Sequence, residues 1–129
     1  MITAMIYVDA SFRGRSNAGL AAIVIVDGRV VGRAALGVSA KSSHHAEGLA
    51  VVMGLDMAIM LPRPDLVVLH SDSESLVKQI CSRRATVNIM KRIGFLRDNG
   101  VDVQVLCVSA RGNMTMSQVD YLSKSITTE

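Results

Sequence analysis

Four acids in this chain, Asp9, Glu47, Asp72 and Asp120, stand where apolar segments end or helical patterns begin. Asp9 closes the run Met5-Ile6-Tyr7-Val8, and Asp72 follows Leu66-Val67-Val68-Leu69 after only His70 and Ser71. Glu47 lies near the start of a long helical pattern and Asp120 at the start of the last one. Carboxylates gathered in one place repel one another and need a positive partner, most often a divalent metal ion. The order strand-Asp, helix-Glu, strand-Asp, helix-Asp therefore implies a Mg²⁺ site. Taken singly, the same residues have plainer readings. An Asp after a strand forms a turn or caps a helix, and a Glu in a first helical turn complements the helix dipole.

The elements that must position these acids follow from the hydrophobic pattern. Residues 4–9 read as a buried strand, and residues 10–19, turn-rich and basic, as a loop. Leu20 to Val26 and Arg29 to Leu36 are β-rich runs joined by Asp27-Gly28, a two-residue hairpin signal. Ser42 or Ser43 caps a helix running to about Met60, which Pro62 and Pro64 stop. Leu66 to His70 is the next strand, and Ser73 or Ser75 opens a short helix to Ile80. A further helix spans residues 85–97, and a strand with one covered face spans 101–108. After a loop at 110–113, a last helix covers 117–125. Helices between the later strands require parallel crossovers. The expectation is an α/β fold in one domain, residues 1–129: a mixed five-stranded sheet, antiparallel meander plus parallel strands, flanked by helices. In such sheets functional groups gather beyond the carboxyl ends of strands, where Asp9 and Asp72 fall.

Half of the 129 residues are apolar, enough for a core, and 19 % are charged, which excludes a disordered chain. Only 3 % are aromatic and none is Trp, which argues against a base-stacking platform. The net charge of +3 is compatible with a polyanionic partner. Cys81 and Cys107 show no ligand spacing and read as two reduced, largely buried thiols of a cytoplasmic protein. The start of the chain lacks the pattern of a signal peptide, and Gly54 and Asp56 interrupt the longest apolar stretch, so no membrane span is expected. The eight methionines read as flexible core packing.

The element order with these four acids in place resembles the ribonuclease H family, over nearly the whole chain. Tyr7-Val8-Asp9-Ala10-Ser11 followed by Asn17-Ala18-Gly19 is similar to the family's strand-Asp opening and first loop. Ser43-His44-His45-Ala46-Glu47 through Gly54-Leu55 resembles its helix with an Ala-Glu pair. Leu69-His70-Ser71-Asp72-Ser73 looks like its Asp-Ser strand end, and Val119-Asp120-Tyr121-Leu122-Ser123 like its closing helix. Departures are Ser43 and His44, where the family carries Asn, and Met116, where it has Asn four residues before the last Asp. The long basic insertion of some members is missing, and the loop before the last helix holds Arg111 and Asn113 in place of a His.

The resemblance implies a metal-dependent endonuclease that hydrolyses the RNA strand of RNA–DNA hybrids and leaves 5′-phosphate ends. It implies two Mg²⁺ or Mn²⁺ ions on Asp9, Glu47, Asp72 and Asp120, with no small-molecule cofactor and no membrane partner. Ala10, Ser11, Asn17, Ser43, His44 and Glu74 are the expected nucleic-acid contacts, and Arg111 and Asn113 the expected helpers of product release. Arg13, Arg15, Arg83, Arg84, Lys91 and Arg92 are candidates to meet phosphates. His45 and His70 read as a surface residue and a strand residue. A monomer is expected. Two other readings stay open: a non-catalytic RNA- or hybrid-binding module of the same fold, and a related nuclease acting on DNA.

Overall fold

A computed structural model describes residues 1–126. Its centre is a strand, β1 (Thr3–Gly14), apolar on both faces because both are covered. Ala4, Ile6 and Val8 join the larger core on one side, and Tyr7 joins a second core on the other. β2 (Asn17–Val26) and β3 (Arg29–Ser39) continue antiparallel from β1. The turn Asp27-Gly28 has φ of 52° and 75°, the left-handed pair that a tight hairpin needs.

The loop expected at 10–19 is instead the tip of a long hairpin. β1 runs on to Gly14, and the turn is Arg15-Ser16, with φ of 53° and 62°. The reason lies in the pattern: Ala10 and Phe12 alternate with polar neighbours and pack against the core, so pairing extends through Phe12↔Ala18.

α1 (Ser43–Ile59) starts where the Ser42 hydroxyl accepts a hydrogen bond from the His45 N–H at 3.1 Å. β4 (Leu66–Ser71) then pairs parallel to β1, up to Tyr7↔His70. α2 (Glu74–Cys81), capped by Ser73, and α3 (Val87–Asp98) lead to β5 (Asp102–Cys107), parallel to β4. The sheet order is β3-β2-β1-β4-β5, the mixed five-stranded sheet expected. α4 (Met114–Ile126) closes the chain. It begins three residues before the expected start because the Asn113 side-chain oxygen caps it, accepting from the Met116 N–H at 2.9 Å. Asp120 consequently lies in mid-helix.

α1 packs on β1 and β2 from one face, and α4 packs on the same strands from the other. The approach of α1 depends on Gly54. A Cβ there would sit 2.5 Å from Val8 Cγ1 and 3.0 Å from Ile6 Cγ2. The two cysteines correct the expectation of buried thiols: both are free and exposed. Cys81 ends α2 and Cys107 ends the edge strand β5, whose covered face stops short of it. Among the described residues, no helix is long and apolar enough to cross a membrane.

Candidate active site

Asp9 pairs with Ala21 of β2, and its side chain lies on the α4 face, as Tyr7 and Ala21 do. β4 stops pairing with β1 at Tyr7↔His70, so past that point one edge of β1 has no strand beside it. Asp72 comes off the end of β4 into this gap. Its turn is held by two serines: Ser71 Oγ accepts from the Ser73 N–H at 3.2 Å, and Ser73 Oγ accepts from the Leu76 N–H at 3.3 Å. Asp120 occupies the same stripe of α4 as the buried Met116 and Ser123, which aims it at the sheet. Three separate parts of the chain thus deliver three carboxylates to one place.

Their electrostatics confirm the proximity. Asp9 is only 5 % exposed, and its Oδ2 has no hydrogen-bond partner. Its pKa is pushed from 3.8 to about 8, first by burial, then by the charge of Asp72 and the carboxyl of Asp120. The Ala10 backbone N–H only partly offsets this. Asp72 is also raised, by burial and the charge of Asp120, although a proton shared from Asp9 and the nearby Lys124 pull the other way. Of the two raised carboxyls, Asp9 is pushed further.

Lys124 is the residue the sequence reading missed. Its Nζ donates to Asp120 Oδ2 at 2.9 Å, four residues along α4, and the carboxylate raises its pKa. The i, i+4 spacing of Asp120 and Lys124 was the available signal.

Glu47 does not join the trio. It shares a stripe of α1 with Val51 and Gly54, and Gly54 rests on Ile6 and Val8. The start of α1 lies toward the hairpin tip, where the Ala40 N–H donates to the Ser16 carbonyl. Seven residues of helix span about 10 Å, which sets Glu47 roughly three residues past Val8, level with Ala10 and Ser11. It approaches from the α1 face while Asp120 approaches from the α4 face. Half-buried, its side chain makes no hydrogen bond or ion pair among the described residues. Among those residues no group of three or more His, Cys, Asp or Glu side chains, the Asp9, Asp72 and Asp120 trio included, is placed so that it could hold a metal ion. Asp120 is turned to Lys124, and Glu47 belongs to the other face of the sheet.

The expected nucleic-acid contacts divide. Ala10 and Ser11 follow Asp9 directly on β1, and Ser43 and His44 are exposed on the first turn of α1. His44 Nε2 meets Gln79 Oε1 at 3.0 Å, tying α1 to α2. Glu74 opens α2 and pairs with Lys78 at 3.0 Å. Asn17 sits at the hairpin tip, four residues along β2 from Ala21, about 13 Å from the level of Asp9. Arg111 is exposed in the turn before α4, whereas the Asn113 side chain is occupied by the helix cap. Arg92 is committed to Asp56 at 2.6 Å.

His45 is exposed and accepts from the Lys41 N–H at 2.9 Å. His70 is a buried β4 residue, its Nδ1 3.0 Å from the Ile6 carbonyl and its ring stacked on Tyr7 at 4.1 Å. Burial lowers its pKa.

Comparison with known proteins agrees with the fold. The sequence model of the reverse transcriptase-like family matches residues 7–98. Ribonuclease H1 from the halophilic archaeon Halobacterium salinarum superposes with a TM-score of 0.76 at 21 % identity, over 96 % of each chain. The N-terminal ribonuclease H domain of a Mycobacterium tuberculosis protein gives 0.79 at 20 % identity, over 98 % of this chain and 94 % of that one. A ribonuclease H1 from compost, LC11, solved with an RNA/DNA hybrid, gives 0.73 at 16 % identity over 96 % of each. No curated protein matches. The architecture is the ribonuclease H fold. The chain belongs to the reverse transcriptase-like family, and the ribonuclease H resemblance read from its sequence holds.

Proposed function

We propose that this chain is a metal-dependent endonuclease that hydrolyses the RNA strand of RNA–DNA hybrids, leaving 5′-phosphate ends. The observation that carries this reading is Asp9: a buried carboxylate with an unpartnered oxygen, pressed against two further carboxylates. A fold gains nothing from that arrangement unless a cation compensates it. The donors are all carboxylate oxygens, which suits Mg²⁺ or Mn²⁺ rather than a softer metal. In this reading Asp9, Glu47, Asp72 and Asp120 are the residues that would hold two such ions. Ions held there would supply a water of lowered pKa and a counter-charge for the leaving 3′ oxygen.

The chain's own residues do the rest. Ser71 and Ser73 fix the turn that carries Asp72, and Gly54 lets α1 lie close enough for Glu47 to reach the edge of β1. Lys124 balances Asp120 until a cation replaces it. Ala10 and Ser11 beside Asp9, Ser43 and His44 one turn before Glu47, and Glu74 two residues after Asp72 are the proposed contacts to the hybrid's minor groove, where the 2′-hydroxyl marks the RNA strand. Asn17 and Arg111 serve as outlying contacts, Arg111 on the release side. The relative solved with an RNA/DNA hybrid supports the substrate class. One chain supplies all four acids, which supports a monomer, and two free thiols support a cytoplasmic setting.

The unassembled metal group keeps a second reading, a hybrid-binding module without catalysis. Cleavage of end-labelled RNA annealed to DNA separates the two, with Mg²⁺, Mn²⁺ or EDTA and with duplex DNA alongside. Metal-dependent cutting of the RNA strand, lost in Asp72→Asn with salt-dependent binding retained, is the expected result. Binding without cutting in either metal would leave the module reading, and cutting unchanged in Asp72→Asn would remove this site.

A further inference from the structure

Away from the carboxylates, the outer side of α2, α3 and β5 encloses a hollow of about 400 Å³. That volume lies within the range of small-molecule sites. Ile93 and Val105 are among its apolar lining residues, and Cys81, Arg83, Arg97 and Gln104 are its polar ones. No Asp or Glu is among the described residues that line it. Arg97 Nη2 donates to the Val103 carbonyl at 3.1 Å, which anchors the guanidinium over β5 and leaves its other N–H groups available. The Arg83 side chain has no hydrogen bond or ion pair among the described residues, while its backbone is held in the left-handed conformation at φ 61°.

Three cations elsewhere are paired with acids: Lys78 with Glu74, Arg92 with Asp56 and Lys124 with Asp120. Here two guanidinium groups share one concave, partly apolar site with no acid. Guanidinium groups match phosphate oxygens in geometry and charge, the apolar lining suits the flat face of a base, and a Gln amide can read a base edge. We propose that this hollow binds a nucleotide unit through its phosphate, at a site separate from the carboxylate cluster. α2 alone puts Cys81 about 10 Å from the Asp72 end of the helix, so an occupant need not touch the acids. The same chemistry has two sources, a free mononucleotide or a phosphate of a nucleic acid running past the site. The proposal does not depend on the nuclease reading.

The two cysteines provide the test, because Cys81 lines the hollow, whereas Cys107 lies beside Asp72, with its Sγ 3.9 Å from the Asp72 carbonyl. The full chain is alkylated with N-ethylmaleimide in EDTA, and the rate at each thiol is read by peptide mass spectrometry. The probes are adenosine 5′-monophosphate, adenosine, and a DNA duplex of about twenty base pairs. Adenosine 5′-monophosphate at millimolar concentration is expected to slow Cys81 at least threefold, leave Cys107 unchanged, and lose its effect in Arg97→Gln and in Arg83→Gln. Adenosine is expected to do nothing. If only the duplex protects Cys81, again through the two arginines, the occupant is a nucleic-acid phosphate. No protection of Cys81 by either, equal protection by adenosine, or protection that survives both substitutions overturns the proposal. A duplex that shields Cys107 alone overturns the nucleic-acid source.

Discussion

Asp9→Asn should stabilise the protein in the absence of metal, by an amount that grows with pH. Burial first, then the charge of Asp72 and the Asp120 carboxyl, carries Asp9 from 3.8 to about 8. Between those two values the unfolded chain gives up this proton and the folded chain keeps it. Folding stability therefore falls as pH rises through that window, by ~1.4 kcal/mol per pH unit while the difference in bound protons is complete. The ceiling is on the order of 5 kcal/mol. Sharing the proton with Asp72 and Asp120, and water reaching the exposed Asp72, reduce the expected loss to roughly 2–3 kcal/mol. Asparagine keeps the shape, carries no charge, and can donate its amide to either neighbouring carboxylate.

Urea unfolding in EDTA at pH 5, 7 and 9 measures this directly. With a slope of roughly 2 kcal/mol per molar urea, the variant's midpoint should lie near wild type at pH 5 and about 1 M above it at pH 9. The contribution of Asp72 is present in both proteins and largely cancels. Mg²⁺ at pH 8 should then raise the wild-type midpoint and leave the variant nearly unmoved. Midpoints that run parallel from pH 5 to 9 would mean Asp9 bears no charge stress, and the argument from its unpartnered oxygen would fail with it.

Gly54→Ala should cost about 1–3 kcal/mol, because its methyl would meet Val8 and Ile6 side chains that have no room to retreat. Thermal melting checks the loss, and an unchanged melting temperature would show that α1 can shift freely on β1. Asn113→Ala should cost about 1 kcal/mol by removing the cap of α4. If capping is its whole role, hybrid turnover at a temperature well below melting should stay within about twofold of wild type, and a larger drop would return Asn113 to product release. Lys124→Ala frees Asp120 from an exposed ion pair worth at most about 1 kcal/mol. Mg²⁺ binding, followed calorimetrically, should tighten by up to about fivefold, and weaker binding would mean that Lys124 supports the metal-bound state rather than competing with it.

The sheet, its order of elements and the hairpin at Asp27-Gly28 were legible because covered strands and tight turns write strong local patterns. The first hairpin was not, since Arg15-Ser16 lacks the Asn or Gly that marks a left-handed turn, and a basic composition hid the alternation of Ala10 and Phe12. Asp9, Asp72 and Asp120 could be picked out where apolar runs stop and a helical pattern starts, although Asp9 stands mid-strand and Asp120 mid-helix. Their convergence was expected, but not the means, which are that β4 stops short beside β1 and that α4 begins early enough to put Asp120 in mid-helix. Thiol exposure also escaped, as an alternating strand does not announce where the helices covering it end.

The departures Ser43, His44 and Met116 weigh less against catalysis once located. Met116 is fully buried in the core between α4 and the sheet, where it packs with Tyr7 and Ile23, so its replacement of a polar residue strengthens the seat of α4. Ser43 and His44 are exposed at the start of α1, and His44 is steadied by Gln79. The acids themselves carry the cost, since an uncharged residue at position 9 would make the empty fold more stable. A module that only bound nucleic acid would gain from losing that charge, through both stability and attraction to phosphate. Retaining Asp9 buried against Asp72 and Asp120 makes physical sense when a cation occupies the space between them.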